Sequence, residues 1–162
     1  MTSPIDSRKA YSYFGLMIGA LPPFAMVFRG IDKTFPSDRL LVFFLLLALA
    51  GVATGIVGYA TGRFIPSAVR YASRFRFPNR ILLLLAMGFA WGAVSGAIGG
   101  LFLYVVGSIF AGIVGGLVGA VVLPILATTH SMMRRGDLIE MKHFLPIAFG
   151  ITLTFCAFIL GQ

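Results

Sequence analysis

From residue 81 to residue 129 the chain runs for 49 residues without an Asp, Glu, Lys or Arg. As one helix this stretch would be about 73 Å long, more than twice a hydrocarbon core of ~30 Å. It must double back, and an apolar hairpin is then the element around which the rest is arranged. The expected tip is residues 104–108, where Gly107 and Ser108 interrupt the apolar pattern. That places helices over 81–103 and 109–129.

Two further charge-free stretches have spanning length. Residues 40–62 would form a helix of about 34 Å, and residues 144–160 lie at the short end for a crossing. The composition agrees: 59% of residues are hydrophobic and 11% charged, against roughly 25% charged in a soluble domain. Eighteen charged side chains cannot wet the surface of a 17.4 kDa globule. These values exclude a soluble enzyme and a disordered regulator, and one cysteine, Cys156, excludes a disulfide scaffold. The expected fold is an all-α integral membrane protein, a single domain over 1–162 with a bundle of four to five transmembrane helices packed through glycine strips.

The number four or five turns on residues 10–28. The segment is apolar, but Pro22 and Pro23 remove two backbone donors within it. It is expected either as a kinked span or as a helix lying in the interface. Charge fixes the orientation. The loop over 63–80 holds Arg63, Arg70, Arg74, Arg76 and Arg80 with no acid, and the loop over 130–143 holds Arg134, Arg135 and Lys142. With the first segment crossing, ten basic residues share one side and three (Arg29, Lys33, Arg39) lie on the other. Without it the division is eight to five. Both arrangements put the two loops on the cytoplasmic side of a bacterial inner membrane, or the matrix side of an organelle inner membrane. The net charge of +8 is accordingly assigned to topology and anionic phospholipids rather than to nucleic acid.

A pattern G-x-x-x-G-x-x-G occurs three times, each time in a different apolar run. Its copies are Gly51, Gly55 and Gly58; Gly92, Gly96 and Gly99; and Gly112, Gly116 and Gly119. The second copy extends into a ladder of Gly88, Gly92, Gly96 and Gly100, and the third is read as Ser108, Gly112, Gly116 and Ala120. Lipid supplies no hydrophobic force between helices, so association rests on close van der Waals approach, which a strip of glycines permits. Each glycine weakens an isolated helix by ~1 kcal/mol relative to alanine, so so many of them call for a compensating contact.

Residues able to do chemistry are few. No Asp, Glu, Lys, Arg or His falls inside the expected spans, and hydroxyls such as Thr54, Ser95 and Thr154 ordinarily bond to a carbonyl one turn back. His130, Met132, Met133, Met141 and His143 frame a loop whose imidazoles and thioethers suit copper. The neighbouring Arg134, Arg135, Asp137, Glu140 and Lys142 make it read as an interfacial loop instead, and no metal or cofactor is assigned. In the arginine loop, a short helix after Pro66 would carry Val69, Ala72 and Phe75 along an apolar edge, with Arg70 and Arg74 one turn apart and aimed at phosphates.

The sequence therefore leads to a non-catalytic accessory subunit of a larger membrane complex, whose partners are other membrane-protein subunits and anionic phospholipids. Its packing residues are the eleven glycines Gly51, Gly55, Gly58, Gly88, Gly92, Gly96, Gly99, Gly100, Gly112, Gly116 and Gly119. The five arginines of the first loop would contact lipid or a partner. The alternative is a small homo-oligomeric channel or transporter for a neutral solute, with Thr54, Ser95 and Thr154 along its path.

Overall fold

A computed structural model of the chain describes residues 5–31, 37–133, 138–139 and 141–161. It is helical throughout, apart from a two-residue antiparallel bridge pairing Ile5 with Ile139 and Asp6 with Leu138. The helices are α1 (Ser7–Ile31), α2 (Ser37–Gly62), α3 (Ile65–Ala72), α4 (Phe77–Gly100), α5 (Tyr104–Met133) and α6 (Met141–Leu160). Three segments are long and apolar enough to cross a membrane: Leu41–Gly62, Phe77–Gly100 and Val105–Thr129. Phe144–Leu160 is a shorter apolar helix.

Two antiparallel hairpins form the bundle. In the first, α1 lies along α2, with Tyr11 opposite Gly62, Gly15 opposite Gly58 and Gly19 opposite Thr54. In the second, α4 lies along α5, with Gly88 opposite Gly119, Gly92 opposite Gly115, Gly96 opposite Ala111 and Gly100 opposite Gly107. The short α3 joins the hairpins, α2 packs on α4, and α6 packs on α1. Tyr11 meets Phe144 with ring centroids 6.2 Å apart, so α6 starts beside the start of α1. At that same end the chain buries Tyr11, Phe14, Leu123, Leu126 and Phe144 almost completely.

The second hairpin turns earlier than the sequence suggests. The reversal is a single 3-10 turn at Leu101–Leu103, and residues 104–108 already belong to α5. Gly107 and Ser108 do not interrupt the helix; they join the contact. Gly107 faces the Gly100 backbone, and Ser108 Oγ donates to the Ala97 carbonyl at 2.8 Å. Close packing reaches the last turn of α4, which leaves only a minimal connection.

α1 stays one helix through Pro22 and Pro23. An internal proline deprives the carbonyl four residues earlier of its donor, so Pro23 frees the Gly19 carbonyl. Thr54 of α2 supplies the replacement: its Oγ1 donates to Gly19 O at 2.6 Å. Ala50 O and Gly51 O also lie within reach, at 2.8 and 3.0 Å. The hydroxyl has one proton, and only the Gly19 carbonyl lacks a helical donor of its own. In lipid such re-satisfaction by a neighbouring Ser or Thr is what makes a mid-helix proline tolerable.

This pairing predicts a coupling. Thr54→Val should destabilise the bundle by about 1–2 kcal/mol, the cost of a stranded buried acceptor. Pro23→Ala returns an N–H to Gly19 O, so the same Thr54→Val change made in a Pro23→Ala background should cost far less. Reversible SDS unfolding of the four proteins of the cycle measures the difference, and additivity of the two changes would refute the role given to Thr54.

Candidate functional site

Small residues bring the helices to backbone contact, but not all of those expected do so equally. A Cβ added to Gly88, Gly92, Gly96 or Gly100 would run into the carbonyl of Gly119, Gly115, Ala111 or Gly107. The strip on α5 is therefore Gly107, Ala111, Gly115 and Gly119, one residue out of step with the expected Ser108, Gly112, Gly116 and Ala120. The doublet Gly115–Gly116 makes both four-residue ladders legible, and only the pairing with α4 selects between them. A Cβ added to Gly112 would stand 3.4 Å from Ala93 O and from the Ala97 Cβ, an ordinary contact, and Gly116 lies under the ring of Phe89. Gly99 points away from α5, against Thr54 of α2.

In the first hairpin Gly51 lies against the Phe24 ring, Gly55 against Ala20 and Leu16, and Gly58 against the Gly15 backbone. Gly15 and Gly19 are packing residues beyond the eleven glycines expected, and their four-residue spacing is the same signal, masked in sequence by the neighbouring prolines.

These geometries grade the substitutions. Gly96→Ala or Gly92→Ala drives a methyl into backbone that cannot swing aside and should cost about 1–3 kcal/mol, the range for overpacking. Gly116→Ala meets a mobile ring, and the cost should be smaller. Gly150→Ala, with nothing within 4 Å, should be neutral or slightly stabilising through helix propensity. Unfolding midpoints in one detergent give the order, and a Gly150 variant as damaging as Gly96→Ala would contradict it.

The arginine loop forms one end of the molecule. α3 begins with Pro66 in its first turn, where the missing N–H costs nothing. It buries Ile65, Pro66 and Ala72, with Val69 half-buried beside Leu84 and Ala127. The apolar edge does not extend to Phe75 as expected. α3 stops at Ala72, the chain turns with Arg74 N on Tyr71 O and Phe75 N on Ala72 O, each 3.2 Å, and Phe75 projects outward onto Tyr71 at 5.4 Å. Arg74 lies in that turn rather than on α3. Arg63, Arg70, Arg74 and Arg76 are exposed and Arg80 is half-buried. Interleaved with them are exposed Phe64, Tyr71, Phe75 and Phe77, and Arg63 sits 5.0 Å over the Phe64 ring. Rings and cations so mixed match the headgroup level of a bilayer. The side chains of His130, Met132, Met133, Met141 and His143 lie outside the described residues, as do those of Arg134, Arg135 and Lys142.

Between the hairpins is a cavity of about 270 Å3. Thr54 and Ser95 both line it, with Ile18, Trp91, Val114 and Val118 among the apolar walls and glycines along much of the rest. Thr154 does not join them: it is exposed on α6 and bonds Gly150 O at 2.9 Å. Trp91 lines the cavity and donates its indole N–H to Thr61 Oγ1 at 2.7 Å, and Thr61 donates on to Val57 O at 2.6 Å. Ser95 Oγ donates to Trp91 O at 3.0 Å. The cavity's hydroxyls are thus engaged with backbone.

Comparison with known proteins adds no relative: no family model, no curated protein and no solved structure matches this chain.

Proposed function

We propose that the chain is a five-span integral membrane protein that serves as a non-catalytic accessory subunit of a larger membrane complex. Its basic end would face the cytoplasm or an organelle matrix. The alignment of α1 along α2, from Tyr11 at Gly62 to Phe24 at Gly51, supports the fifth span, because a bilayer crossed by α2 would be crossed by α1 as well. The observation that carries the subunit reading is the backbone contact along both hairpins. It engages the small-residue faces within the chain and leaves a stripe of bulky residues outward on α5: Val105, Ile109, Ile113, Leu117, Val121 and Ile125, all exposed. Rigid hairpins with apolar outer faces suit a part that fills and stiffens an interface among other helices.

The arginines would hold anionic phospholipid headgroups at that interface, each basic residue contributing about 1 kcal/mol. Replacing Arg63, Arg70, Arg74 and Arg76 together with Gln should therefore lower the retention of phosphatidylglycerol or cardiolipin by nearly three orders of magnitude. Native mass spectrometry of protein taken from mixed anionic and zwitterionic lipid reads this directly, and unchanged retention would remove the lipid role.

The channel reading has one observation in its favour, the cavity that brings Thr54 and Ser95 together. A mild-detergent extract sized on a native gel, with co-migrating chains identified by mass spectrometry, separates the two. Migration with several different chains is the expected result. Migration as a homo-oligomer without partners, with solute flux from the pure protein in liposomes, would establish the channel instead.

A further inference from the structure

We infer that the cavity between the hairpins holds an acyl tail of a bilayer phospholipid, admitted along the seam between α5 and α6. Three features lead there. First, the cavity is bounded by α2, α4 and α5, the helices that carry the three spanning-length segments, together with α1 and Ile159 of α6. Its depth is that of the hydrocarbon core. Second, its chemistry suits hydrocarbon and not water. The lining is apolar carbon apart from Thr54 and Ser95, whose hydroxyls donate to backbone carbonyls, and a buried water needs two to four polar partners. At roughly 30 Å3 for a water-sized group, 270 Å3 takes on the order of nine methylene-sized groups. A dry apolar void of ~150 Å3 already binds benzene.

Third, the described contacts close the joins of α1 with α2, of α2 with α4 and of α4 with α5, and leave the seam between α5 and α6 thinly packed. Trp91 packs on Phe14 with ring centroids 6.4 Å apart. With Tyr11, Val122, Leu126 and Phe144 it seals the basic end. α1 is zipped to α2 and α4 to α5, while α2 closes on α4 where Gly99 meets Thr54. α6 packs along α1 but barely touches α5. Among the described residues of α6, Ile159 at its far end lines the cavity, as does Phe110 on α5. The tail enters by this seam from the leaflet away from the arginines, with its tip toward Trp91. The inference rests on the proposed membrane insertion and is independent of the subunit role.

Trp91 is the single tryptophan of the chain and is buried from the outer surface, so its fluorescence reports the cavity. The full chain is reconstituted into vesicles of dioleoylphosphatidylcholine, or of the same lipid brominated across its double bonds; bromine quenches indole only near contact. Flotation with the vesicles first establishes insertion, and failure to float would sink the membrane reading itself. The expected result is loss of most of the Trp91 emission in brominated vesicles. Val114→Phe and Ile18→Phe fill the cavity from opposite walls, and either variant that keeps the wild-type circular dichroism should recover that emission. Wild-type emission untouched by bromine would overturn the inference. So would equal quenching in the filled variants, which would place the bromines outside the bundle. Quenching by aqueous iodide in plain vesicles would mark a water path and overturn it as well.

Discussion

Two helices in lipid gain nothing by leaving solvent, because the solvent is as apolar as they are. What holds them is contact, and contact at the level of the backbone needs faces without side chains. Each hairpin of this protein meets that constraint along its length, Gly15 and Gly19 on α1 against α2, and Gly88, Gly92, Gly96 and Gly100 on α4 against α5. The position of the second hairpin's turn, the accommodation of Pro23 and the shape of the space between the hairpins all follow from these registers.

Thr54 shows how tightly the requirements interlock. Its hydroxyl reaches across to the Gly19 carbonyl that Pro23 leaves without a donor, and its methyl lies where a side chain at Gly99 would stand. One small polar residue thereby serves α1, α2 and α4 together. A larger residue would push the hairpins apart, and an apolar one of the same size would strand an acceptor where no water can replace it. Pro23 is compatible with an unbroken α1 because α2 brings Thr54 to the depth of the Gly19 carbonyl.

Much of this was legible in the sequence. The 49-residue charge-free run demanded a hairpin, and the four-residue ladder from Gly88 to Gly100 marked the face of α4 that meets it. The partner face of α5 is ambiguous by one residue in sequence, since Gly115 and Gly116 satisfy two ladders and the choice is made by a contact distant in sequence. Gly107 and Ser108 look like a tip in sequence because glycine and serine ordinarily punctuate a helix; in a zippered pair they are packing residues. The donation from Thr54 to Gly19 could have been suspected from Pro23 but not placed, because a freed carbonyl names no donor. The arginines and aromatics of the first loop were visible as composition, whereas the outward turn of Phe75 depended on α3 stopping at Ala72.

The cavity is a consequence of the same glycines. A helix face stripped of side chains can close on one neighbour, yet it presents the same lack of bulk to a third helix set at an angle to that pair. Gly15, Gly58, Gly92 and Gly115 lie at hairpin contacts and also line the space between the hairpins. Larger residues at these four positions would break the zippers, so the glycine walls cannot fill that space themselves. An interior of this kind therefore stays open to whatever apolar chain the bilayer offers, and every group it gains restores dispersion contacts that the bare backbone lacks. Packing within each hairpin and vacancy between the hairpins are then two faces of one choice of residue.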